Sequence, residues 1–101
     1  MRTVNDKLEG SVVVTDDLTL NGMITGTTTV GSGGRLLLNG MCVQDLIVEQ
    51  GGEVQLRGMV EGNVYNRGGS LMVFGMINGF LVRQGGTTTV DPKAVVVGGI
   101  R

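Results

Sequence analysis

Histidine is absent from the chain and cysteine occurs once, at Cys42. A structural zinc site takes about four Cys or His ligands, so that class of metal binding is excluded. A lone thiol forms no internal disulfide, which fits a reducing compartment. Without an imidazole nothing stands ready to activate it as a nucleophile, so Cys42 reads as a buried, inert thiol. Aromatic residues are scarce, with two Phe, one Tyr and no Trp. Any core must therefore be built from small aliphatic side chains. No uninterrupted apolar stretch approaches the ~18 residues of a membrane helix, and there is no long run of one charge. Eight bases and nine acids are mixed along the chain. With no basic patch or aromatic-and-arginine platform, nucleic acid is not an expected partner. The opening MRTVNDKLEG lacks the apolar centre of a signal peptide. The expectation is a cytoplasmic protein without metal or cofactor.

What the chain does have is glycine, 19 of its 101 residues, set at fixed offsets among Val, Leu, Ile and Thr. The stretch VQLRGMVEGNVYNRGG (54–69) recurs as LTLNGMITGTTTVGSGG (18–34), LLLNGMCVQDLIVEQGG (36–52) and LMVFGMINGFLVRQGG (71–86). Its Gly-Met pair begins at Gly22, Gly40, Gly58 and Gly75, in steps of 18, 18 and 17. A degenerate copy, VNDKLEGSVVVTDD, precedes these, and TTTVDPKAVVVGGIR follows them. Internal similarity at a fixed period of this size is the signature of a solenoid. No segment keeps the i, i+3, i+4 apolar spacing of a helix, and β-branched residues fill the apolar positions.

The repeat predicts an all-β chain: a single-stranded, three-sided parallel β-helix of ~5 coils of 17–18 residues, one domain over 1–101. The first side carries Leu18/Leu20, Leu36/Leu38, Val54/Leu56 and Leu71/Val73. The second carries Ile24, Cys42, Val60 and Ile77, and the third Thr28/Val30 and Leu46/Val48. Alternate residues of a strand share a face, so these turn inward. Glycines at the corners are expected to supply positive φ. The later copies are one residue short, and placing the deletion near Gly79 would turn Phe80 and Val82 inward. In the last segment Thr88 and Val90 match the first side, Ala94 matches Ile77, and Pro92 stands at the glycine corner.

Val-Gln-Leu-Arg-Gly-Met-Val-Glu-Gly-Asn-Val at 54–64, with its relatives starting at 18, 36 and 71 and the Gly-Gly corners, resembles the bactofilins. These are bacterial cytoskeletal proteins that form filaments without nucleotide. The resemblance spans about residues 4 to 100. It implies a right-handed, three-sided β-helix stacking end to end into non-polar filaments, often beside the membrane. Almost no tail lies outside the repeats to carry a membrane-binding motif, which weighs against membrane attachment.

Two surfaces stand out. The ends of such a helix expose an unpaired strand edge and an apolar column, and uncapped edges associate. Val4, Leu8, Val95, Val97 and Ile100 are the candidate self-association residues. Asp6, Lys7, Asp16 and Asp17 protect the N-terminal end only in part. Met23, Met41, Met59 and Met76 lie out of phase with the inward residues. They read either as shielding for a corner or as an apolar strip for a partner. Asp45, Glu49, Glu53 and Glu61 read as solvated faces rather than an acid/base pair or calcium loop. The Thr runs at 27–29 and 87–89 do not recur on every coil as an ice-binding array would. Gly-Ser-Gly-Gly at 31–34 has no following helix or Lys to make a phosphate cradle.

Val12, Leu18, Ile24, Val30, Leu36, Cys42, Val48, Val54 and Val60 fall every six residues, as in hexapeptide-repeat acyltransferases. The register breaks after Val60, however, and the histidine such enzymes use as a base is missing. A non-enzymatic structural protein that assembles with itself is expected, with no catalytic residue. The alternative is a rigid binding module for another protein, such as an inhibitor, an immunity-type partner or a scaffold.

Overall fold

Short runs of alternating aliphatic residues, each closed by a turn, wind the chain back over itself. The computed structural model describes residues 2–101. The described residues form fifteen β-strands and no helix, a parallel β-solenoid of about five turns. Each full turn contributes three strand segments, and like segments stack on like. The first stack runs through Arg2–Val4, Asp17–Leu20, Arg35–Leu38, Glu53–Leu56 and the later parts of Val64–Val73 and Leu81–Val90. The second runs through Lys7–Leu8, Met23–Ile24, Met41–Cys42, Met59–Val60, Met76–Ile77 and Val95–Val96. The third runs through Val12–Val14, Thr28–Val30, Leu46–Val48 and the early parts of the two long strands. There Ile100 bridges to Leu81.

In the second stack Leu8, Ile24, Cys42, Val60, Ile77 and Val96 lie one above another. The successive turns are therefore 16, 18, 18, 17 and 19 residues long. The first and third stacks belong to one sheet, because Val64–Val73 and Leu81–Val90 run through the corner without a break in strand.

The inward residues make a single aliphatic column. Leu20, Ile24, Val30, Leu36, Leu38, Cys42, Leu46, Val48, Leu56, Val60, Val64, Leu71, Val73, Ile77 and Leu81 are all fully buried. Burying one such side chain is worth about 1.5–3 kcal/mol, and no single turn could do it alone. Thr28 is inward too, with its Oγ1 3.4 Å from Cys42 Sγ. Burial pushes the Cys42 thiol above its usual pKa, while the Thr28 contact opposes that shift.

The missing residue is not at Gly79. Leu46 pairs with Val64 at a separation of 18, but Val54 pairs with Leu71 at 17. The loss therefore falls in the corner after Asn66. Leu81, not Phe80 or Val82, takes the inward place, stacked on Val64. The six-residue spacing in fact continues one step beyond Val60, to Asn66, which is completely buried. Asn66 Oδ1 accepts from the Gly68 and Gly69 amides at 3.2 and 2.9 Å. Its Nδ2 donates to Thr87 O and Thr88 Oγ1, both at 2.9 Å. Four hydrogen bonds satisfy both ends of the amide, and the side chain fills the shortened corner.

The last turn also differs from expectation. Val95 pairs with Met76 and Val96 with Ile77, so Val96 rather than Ala94 continues the inward column. The turn Asp91–Ala94, closed by Ala94 N–H donating to Asp91 O at 2.9 Å, adds residues at the Pro92 corner and resets the phase.

Glycine at the Gly-Met corner serves a different purpose from the one expected. Gly22, Gly40, Gly58 and Gly75 are not in the positive-φ set. A Cβ on any of them would land on the carbonyl oxygen of the turn beneath: Asp6, Gly22, Gly40 and Gly58 respectively. Closeness of the turns, not backbone conformation, requires glycine there.

Candidate functional site

The inward column stops without a cover at either end. Val4, Leu8 and Val12 pack on the core but are only partly buried, as are Val90, Ala94 and Val96 at the opposite end. The edge strands Arg2–Val4 and Val12–Val14 have a partner on one side only. So do the later part of Leu81–Val90 and the segment Val95–Val96. The molecule spans 30 × 24 × 21 Å, so its ends are comparable in size to its sides.

The predicted end residues divide into two groups. Val4 and Leu8 sit in the inward phase of the first turn, registered with Leu20 and Ile24. Ile100 lies over Leu81 at the open end and is 46% exposed. Val95 and Val97 flank the inward Val96 and turn outward, 50% and 61% exposed. Sequence reading missed Val90 and Val96 as the end residues of the column, because the extra residues at Pro92 hid the phase. Arg83 is registered with the inward Asn66. It reaches solvent only because the end above it is open.

The four Met residues are brought together. Lys7, Met23, Met41, Met59, Met76 and Val95 form one outward row along the second stack. Each Met is half-buried. Beside Met41, Met59 and Met76 a shallow apolar groove extends to Phe74 and Val95. Phe74 is 38% exposed, and the Arg57 guanidinium sits 5.1 Å from its ring centroid. The glycine column beside this row leaves the groove floor flat.

The acidic residues are dispersed. Asp45 Oδ1 accepts the Asn63 amide at 2.8 Å, and Asn63 Oδ1 accepts the Phe80 amide at 2.8 Å. Glu49 pairs with Arg67 at 3.4 Å, Glu53 with Arg35 at 2.9 Å, and Glu61 accepts from Asn78 Nδ2 at 3.1 Å. These are links between neighbouring turns. Among the described residues no group of three or more His, Cys, Asp or Glu is gathered as a metal site would need. No helix there is long and apolar enough to cross a membrane. The central threonine of each Thr run is in the inward phase: Thr28 contacts Cys42, and Thr88 contacts Asn66. Neither run is a flat outward array.

At the first turn Arg2 Nε and Nη2 donate to the Asp16 carboxylate at 2.8 and 2.7 Å. That bond holds Asp16 below the usual carboxylate range. On a corner nearby, Asn39 Nδ2 donates to Asn21 Oδ1 at 3.0 Å and Asn21 Nδ2 to Asn5 Oδ1 at 2.8 Å. This asparagine row runs out at the N-terminal end. Compared with known proteins, the chain matches no family model, no curated protein and no solved structure.

Proposed function

We propose that the protein is a non-enzymatic structural protein of the cytoplasm whose copies stack end to end into oligomers or filaments, as in the bactofilins it resembles. The supporting observation is the pair of uncovered ends. Each presents partly buried aliphatic side chains, Val4, Leu8 and Val12 at one and Val90, Val96 and Ile100 at the other. An unpaired strand edge surrounds each. Every interior turn obtains its hydrogen bonds and its apolar contacts from a neighbour above and below. The first and last turns lack one of the two, and another copy supplies both at once. In sedimentation velocity across a concentration series the average mass is expected to rise steeply. The rise should persist at high salt, because an apolar contact is not screened. A strict monomer at high concentration would overturn the proposal.

A second reading is favoured by the groove along Met41, Met59, Met76, Phe74 and Val95. Methionine-rich apolar strips adapt to partner surfaces. In that reading the solenoid is a rigid module presenting this face to another protein, and the isolated chain stays monomeric.

A further inference from the structure

We infer that the copies join head to tail, the last turn of one against the first turn of the next, so that the assembly has a direction. This rests on the end-to-end stacking proposed above and departs from the non-polar filaments that the bactofilin resemblance implies.

The inward residues support it. Val4 is registered with Leu20, Leu8 with Ile24 and Val12 with Thr28. At the other end Val90 is registered with Val73, Val96 with Ile77 and Ile100 with Leu81. Continuing the same parallel stack into a second copy places Val4 on Val90, Leu8 on Val96 and Val12 on Ile100. Three apolar pairs form without any change of register.

Charge distinguishes the two ends. Residues 2–16 carry two bases, Arg2 and Lys7, against three acids, Asp6, Glu9 and Asp16. Residues 83–101 carry three bases, Arg83, Lys93 and Arg101, against one acid, Asp91. Head-to-tail contact sets opposite signs together. A two-fold contact sets two acid-rich or two base-rich ends face to face, which complementarity disfavours.

The asparagine row gives a third, independent match. Its donors all point one way, Asn39 to Asn21 to Asn5, leaving Asn5 Nδ2 as the terminal donor. Asp91 occupies the same corner at the far end. Its amide donates to Val73 O at 2.8 Å, as the Asn21 amide donates to Val4 O at 2.8 Å. Asp91 Oδ1 accepts the Lys93 amide at 2.8 Å, and Oδ2 is left for the Asn5 amide of the next copy. The row ends on a donor at one face and a carboxylate at the other.

Cysteine pairing tests the direction. Thr3 and Thr89 are exposed, outward residues of the first stack at opposite ends. Head-to-tail contact brings them onto adjacent strands about 4.8 Å apart, within the span of a disulfide. Under mild oxidation a mixture of the single variants Thr3→Cys and Thr89→Cys is expected to give the mixed dimer. The double variant should give a ladder of covalent oligomers, and each single variant alone should stay unlinked. Homodimers of either single variant, or sedimenting oligomers with no Thr3→Cys to Thr89→Cys link, would overturn the direction while leaving stacking intact. Absence of any association would overturn both. As a second readout, Asp91→Lys should weaken association up to about fivefold, the scale of one exposed ionic contact. Adding Asn5→Asp should restore it, and failure of that rescue would count against the Asn5–Asp91 contact.

Discussion

Gly58→Ala is expected to destabilise the fold by about 3 kcal/mol, the upper end of what overpacking costs, lowering the thermal midpoint by about 15 °C. The added methyl would sit on the carbonyl oxygen of Gly40. That oxygen already accepts the Met59 amide at 3.0 Å, and the Gly58 carbonyl accepts the Met76 amide at 3.0 Å. The obstacle is backbone on a turn held from both sides, so no side chain can swing aside to relieve it. Gly10→Ala makes the informative comparison. Gly10 has φ +90° and nothing within 4 Å of an added Cβ. Its substitution costs only the left-handed backbone penalty of about 1–2 kcal/mol, at a frayable end. Thermal melts of both variants check the order. Equal losses would mean that close stacking is not what selects glycine at the Gly-Met corner.

Val96→Glu is expected to lower the association constant about a hundredfold or more while leaving the melting of the isolated chain nearly unchanged. Val96 ends the inward column and is only partly buried. In a single copy the carboxylate can turn into solvent through the open end. In a stack it would be sealed against the aliphatic column of the next copy, and enclosing an unpaired charge costs several kcal/mol. Sedimentation of the variant beside the parent, with melting at low concentration as the control, separates the two effects. Undiminished association would show that the ends are not the contact.

The period, the strand type and most of the inward set were legible because each rests on repetition. Leu36, Cys42, Val48, Val54 and Val60 recur at one spacing, and all lie in the core. Departures came where a single residue changed the phase without leaving a compositional mark. Asn66 is an inward position in polar guise, so the deletion was sought at Gly79 instead of in the corner that Asn66 closes. The turn at Asp91–Ala94 shifts the last strand, so Val95 and Val97 were read as end residues in place of Val96. The Gly-Met glycines were recognised as obligatory corners but for the wrong reason. A sequence records that a residue must be small; whether φ or a neighbouring carbonyl demands it is visible only once the turns are stacked. The Asn5–Asn21–Asn39 row spans turns of 16 and 18 residues and falls outside the Gly-Met motif. It was legible only in retrospect.

Amide hydrogen exchange followed against protein concentration tests most directly whether the terminal turns borrow from another copy what the interior turns receive within the chain. Amides of Arg35–Leu38 and Glu53–Leu56 should be protected at every concentration. Those of Arg2–Val4, Val12–Val14 and Val95–Val96 should pass from fast exchange when dilute to interior-like protection when concentrated. End amides that exchange at the dilute rate throughout would contradict the account.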